Sequence, residues 1–113
     1  MESYTHYLKC RYSDGMFPHE VVINLRKERD LNWMFVNKED VIPYSGDVNA
    51  IFGTGEGGLV RCVLLGPPVY SDPGKDHEFV GINDTGEFRR STCHVLKEDL
   101  LTKEEVELNL TPQ

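Results

Sequence analysis

Much of the chain is written twice. Residues 12–42 lie over residues 70–101, with Gly81 as a single insertion, in 31 aligned pairs of which 13 are identical. Ordinary residue usage gives about two identities by chance over such a length. Strand alternation alone accounts for apolar matches such as Val22/Val80, Ile23/Ile82 and Val36/Val95. It does not account for the polar strings Y-S-D (Tyr12/Tyr70 onward), H-E (His19/His77 onward) and K-E-D (Lys38/Lys97 onward), which recur in the same order. The recurrence points to an internal duplication.

A repeat of this kind narrows the folds open to the chain. The 113 residues match the size of a single domain, and a half of about 50 residues cannot bury enough apolar surface alone, so the two halves must share one core. Each copy reads as a β-meander. A first strand ("HYLKCRY", "LVRCVLL") runs into a segment whose "SDG" or "SDPG" supplies turn residues. A second strand ("EVVINL", "EFVGIN") and a third ("NWMFVN", "RRSTCHV") follow, joined by "RKERD" in the first copy and "NDTG" in the second. The expected architecture is all-β: a small barrel or sandwich of six to seven strands, SH3-like, built from two tandem β-meander repeats with pseudo-twofold symmetry. One domain spans 1–113, with repeats at about 4–42 and 59–101, a Gly-rich link over 43–58 and a closing segment over 102–113.

The repeated K-E-D reads as a strand terminator. Asp40 and Asp99 can cap one turn of helix by accepting backbone N–H bonds, while Val41-Ile42 and Leu100-Leu101 fold back onto the core. A site built from the four carboxylates Glu39, Asp40, Glu98 and Asp99 is the functional alternative. In the link, "GTGEGG" matches the spacing G-x-G-x-x-G. The dinucleotide fingerprint needs a strand before it and a helix after it, whereas "LVRCVLL" follows, so the stretch reads as a flexible connection. "DVNAIF" leaves a turn of helix and a short strand both open. The tail "TKEEVELNLTPQ" carries a capping box from Thr102 to Glu105, but Val106, Leu108 and Leu110 alternate with polar residues and favour a closing strand.

Composition limits the partners. Hydrophobic residues at 39% and charged residues at 27% fit a globular protein and not a disordered one. Nineteen acidic against twelve basic side chains give a net charge of −7, a surface that repels phosphate backbones, so no nucleic acid is expected. Apolar runs fall far short of the roughly 18 residues that span a bilayer, so no membrane is expected. Glu2, His6 and Lys9 interrupt the place where a signal peptide needs a continuous apolar run, which argues for a cytoplasmic protein. Cys10, Cys62 and Cys93 form an odd set without C-x-x-C spacing and read as reduced, buried small hydrophobes rather than reactive thiols or metal ligands.

No Ser–His–Asp or Cys–His arrangement is legible, so the expectation is a non-enzyme without a cofactor. The leading reading is a non-catalytic module that binds a protein or peptide through the loops and edges of a small barrel. The alternatives are a metal or small-ligand site at the repeated His19-Glu20 and His77-Glu78, and an acidic inhibitor of a basic partner. Oligomeric state stays open. The contact surface is expected where "YSDGMFPHE" and "YSDPGKDHE" meet, with Tyr12, Met16, Phe17, His19, Tyr70 and His77 as candidate contacts. Phe17 as a plug for one end of the barrel is the competing reading. Among the aromatics, Trp33, Phe35, Phe52, Phe79 and Phe88 fit core positions. Tyr4, Tyr7, Tyr12, Tyr44 and Tyr70 fall at strand starts and turns, where they either line a peptide groove or sit at surface edges.

Overall fold

The structure is a computed structural model of the chain and describes residues 4–26, 33–65, 77–84 and 89–110. Tyr70, Phe88 and the greater part of the second repeated loop lie outside the described residues. The described residues are all-β with one short helix, and their eight strands form a single antiparallel sheet curled into a half-barrel.

Two long strands form its centre. β1 (His6–Asp14) and β5 (Glu56–Leu65) run antiparallel over 6–12 and 56–62, with Leu8 opposite Val60. Outward from β1 come β2 (Glu20–Asn24) and β3 (Trp33–Asn37). Outward from β5 come β6 (His77–Asp84) and β7 (Arg89–Leu96). After β3, a single 3-10 turn over Lys38–Asp40 reverses the chain into β4 (Val41–Pro43), which pairs with β5 and not with its own half. After β7, the turn Lys97–Asp99 does the same for β8 (Leu100–Thr102), which pairs with β1. Each central strand thus gives one edge to the other and divides its second edge. β1 takes β8 along 6–8 and β2 along 11–14, while β5 takes β4 along 58–60 and β6 along 63–65. Val41 stands opposite Val60 and Leu100 opposite Leu8, so both exchanges meet at the residues that face each other in the centre. The two exchanged strands raise the count from the expected six or seven to eight; at three residues each they are too short to register as alternation.

The concave side holds the main core. Leu8, Cys10, Val21, Ile23, Met34, Val36, Val60, Cys62, Val80, Ile82, Cys93 and Val95 point inward at every second position, and β3 returns against β6 to enclose them. Burial pushes the Cys10 and Cys62 thiols up to about 12, so both stay protonated and chemically inert near neutral pH. A smaller cluster lies on the convex side, where Leu59, Leu101 and Val106 pack with Tyr7, Ile42 and Tyr44. β5 is therefore covered on both faces at this point, which is why the adjacent residues Leu59 and Val60 are both buried.

Val106 belongs to a helix, α1 (Lys103–Leu110), and not to a closing strand. The capping box decides the outcome. Thr102 Oγ1 accepts the Glu105 N–H at 3.2 Å while Glu105 Oε1 accepts the Thr102 N–H at 3.1 Å, satisfying donors that open helix ends leave without partners. The alternation in the tail has no structural counterpart, since Val106 is buried and Leu108 is exposed.

The K-E-D turns are strand terminators, but not by the expected means. Neither turn has a side-chain N-cap, and the buried Asp40 and Asp99 carboxylates meet arginines instead. Arg61 grips Asp40, with Nε at 3.0 Å, from β5. Arg26 reaches Asp99 with Nε at 3.1 Å and Nη2 at 3.2 Å, and also touches Glu98. Burial pushes the Asp99 carboxyl above its ordinary value against the pull of Arg26 and Lys9. The outer carboxylates Glu39 and Glu98 are exposed, and Asp40 pairs with Arg61 while Asp99 and Glu98 pair with Arg26, so the four acids are divided between two structural arginine contacts rather than gathered in one open site.

Three of the aromatic assignments also fail. Trp33 and Phe35 lie on the outward face of β3, edge to face at 5.6 Å, because Met34 and Val36 take the inward face. Phe52 is 89% exposed on the loop between β4 and β5.

Candidate functional site

Two features of the described surface could engage a partner. The first is the tip of the β1–β2 hairpin. The Gly15 N–H donates to Glu20 O at 3.0 Å, the Glu20 N–H to Phe17 O at 3.1 Å, and the Lys38 N–H to His19 O at 2.8 Å. These bonds fix a tight turn whose side chains project into solvent: Met16 is 81% exposed and Phe17 57%. The rings of Phe17 and His19 stack at 6.2 Å with 18° between their planes. Phe17 does not plug the barrel, and the reading of it as a core residue is overturned by this exposure.

The second feature is an open groove of about 560 Å³ lined by Tyr12, Pro43, Tyr44, Ser45, Gly46, Glu56 and Gly57. It forms where β5 begins. Tyr12 of β1 stands opposite Glu56 on one side of β5, and on the other side the Tyr44 N–H donates to Gly57 O at 3.1 Å. The glycines of "GTGEGG" are thus not a loose connection throughout, since Glu56–Gly58 is already strand. A Cβ on Gly58 would come within 2.6 Å of the Tyr12 ring, and one on Gly57 within 2.7 Å of Tyr44 O. Glycine is what lets a ring and a neighbouring backbone close onto the start of this strand. Burial first, and then the neighbouring Glu56 carboxylate, push the Tyr12 phenol above its ordinary value. The preceding loop is tied down by Arg11, whose Nε donates to Ile51 O at 2.7 Å and Nη1 to Gly55 O at 3.2 Å. "DVNAIF" is accordingly neither helix nor strand but a turn, with the Ile51 N–H donating to Val48 O at 2.9 Å and the Asn49 N–H to Asp47 Oδ1 at 2.8 Å.

The sequence candidates are therefore divided. Met16, Phe17 and His19 share the hairpin tip, whereas Tyr12 lines the groove. His77 opens β6 opposite Leu96. Tyr70 lies outside the described residues, as does most of the loop expected to meet the first. Among the described residues no three His, Cys, Asp or Glu side chains gather as a metal site, so His19, Glu20, His77 and Glu78 do not form a common centre. Tyr44 and Glu56 were missed as a pair. Their signal in the sequence was faint, a tyrosine after the K-E-D turn and an acid between glycines.

Comparisons with known proteins give no match: no family model fits the sequence, and no curated protein or solved structure is significantly similar to the chain. Among the described residues, no helix is long and apolar enough to cross a membrane.

Proposed function

We propose that this chain is a non-catalytic interaction module that binds a protein or peptide partner, with the tip of the β1–β2 hairpin as a principal contact. The observation that carries the reading is the exposure of Met16 and Phe17 on a turn whose backbone is internally hydrogen-bonded. Two adjacent apolar side chains held in water add nothing to the fold, and an exposed apolar patch is a common mark of a contact surface. His19 stacks on Phe17 and extends the same surface.

The two halves follow the same element order, and the exchanged strands β4 and β8 meet equivalent points of β5 and β1. Duplication of one meander accounts for this order and for the repeated polar strings. It also accounts for the shared Y-S-D and H-E on either side of stretches that differ in sequence, "GMFP" in the first copy and "PGKD" in the second.

The double substitution Met16→Ser and Phe17→Ser tests the reading. Partners co-purified with the wild-type chain from its native cell are expected to be lost with the variant, while its melting temperature stays within about 2 °C of wild type, as for surface changes that remove no packing. A fall of several degrees, the mark of a lost core side chain in a domain of this size, or undiminished co-purification, overturns it.

A further inference from the structure

The groove at the start of β5 collects a particular chemistry. Two tyrosine rings, from β1 and from the segment after β4, line the same hollow as the Glu56 carboxylate. Tyr12 and Glu56 stand opposite each other across the β1–β5 pairing, so the carboxylate lies at the groove beside the phenol, and its lone pairs can accept from a donor that enters. Aromatic faces attract cations through their quadrupole, and Tyr44 already has the Lys9 ammonium 5.8 Å from its ring centroid. The other nearby cation, Arg11, is committed to the Ile51 and Gly55 carbonyls. A net charge of −7 favours the approach of a basic partner. At Gly46 and Gly57 the place of a side chain is taken by the Tyr44 ring and the Tyr44 carbonyl, so glycine lets Tyr44 close onto the hollow, whose size falls in the range of ligand sites.

We infer that this groove receives a basic side chain of a protein partner, an alkylammonium or guanidinium group set against Tyr12 and Tyr44 and paired with Glu56. The inference rests on the reading of the chain as an interaction module and adds the chemistry of what it binds. It uses a surface different from the hairpin tip.

Acetylated Gly-Arg-Gly and Gly-Lys-Gly amides serve as probes, with citrulline and norleucine replacing arginine and lysine as uncharged counterparts. Titrated into the intact chain, the charged peptides are expected to shift the backbone amides of Gly46 and Gly57, and the uncharged ones to bind at least about fivefold more weakly. Glu56→Gln is expected to weaken the charged peptides by a similar factor while leaving the amide spectrum dispersed, and Tyr44→Leu to do so if its spectrum is also retained. Methylguanidinium alone is expected to bind more weakly than the arginine peptide. Equal binding of charged and uncharged peptides, shifts confined to another surface, or an unaffected Glu56→Gln variant overturns the inference. Methylguanidinium binding as well as the peptide overturns the assignment to a protein partner. The Met16→Ser/Phe17→Ser chain is expected to titrate as wild type, so failure at the tip and failure at the groove are told apart.

Discussion

Two fragments, residues 1–46 and 47–113, are expected to be unfolded when apart and to fold when mixed. The reason is the strand exchange. In the first fragment β4 has lost the strand it pairs with, β5, and β1 has lost both β5 and β8. In the second, β8 has no β1, and the buried faces of β5, Val60 and Cys62 among them, open to water. Each fragment keeps a hairpin or a meander, β1–β2–β3 or β5–β6–β7, which is marginal in water without a second layer. Amide spectra with the narrow dispersion of unfolded chains for each fragment, and a dispersed spectrum for the equimolar mixture, are the expected results. A dispersed, exchange-protected spectrum from either fragment alone would sink the argument that the halves share one core.

Leu8→Ala should be among the most damaging single substitutions. Leu8 is fully buried, faces Val60 across the centre and Leu100 on its other edge, and therefore sits where both exchanges join. Truncation of a buried leucine costs about 3 kcal/mol, because the cavity left behind closes only in part. In a domain of this size that corresponds to a fall in melting temperature of about 15 °C. Thermal unfolding measured beside the Met16→Ser/Phe17→Ser chain gives an internal contrast: a large fall at Leu8 and almost none at the tip. A loss under about 3 °C at Leu8 would mean that the centre of the sheet carries little of the stability.

The long strands were legible because burial on one face leaves a two-residue period in the sequence, as in Leu8 and Cys10 or Val21 and Ile23. The same rule gives no answer in "NWMFVN", where both faces are apolar; aromatic bulk alone places Trp33 and Phe35 in the core that Met34 and Val36 fill. The tail showed two signals that conflict, and the local hydrogen bonds of the capping box prevailed over alternation. Asp40 and Asp99 were recognised as turn residues, but their arginine partners are 21 and 73 residues away in sequence, a separation no local pattern encodes. The groove was out of reach for the same reason. Tyrosines at strand starts and turns suggest a tyrosine-lined surface, yet only the pairing of β1 and β4 on either side of β5 brings Tyr12, Tyr44 and Glu56 together.

The exchange of β4 and β8 also dictates an order of events in time. Both short strands dock on edges of β1 and β5 where those two strands meet, with residues 6–12 brought against residues 56–62. That encounter closes a loop of about 50 residues before any long-range pairing rewards it, so the loop-closure entropy falls on the rate-limiting step. Substitutions at the β1–β5 junction, such as Val60→Ala, should therefore slow refolding. Changes in α1, which packs on β8 and β1 at the end of the chain's strand order, should chiefly hasten unfolding. Stopped-flow chevrons of Val60→Ala and Val106→Ala decide the point: if Val106→Ala slows refolding as much as Val60→Ala does, the helix forms with the nucleus and the central pairing is not the gate.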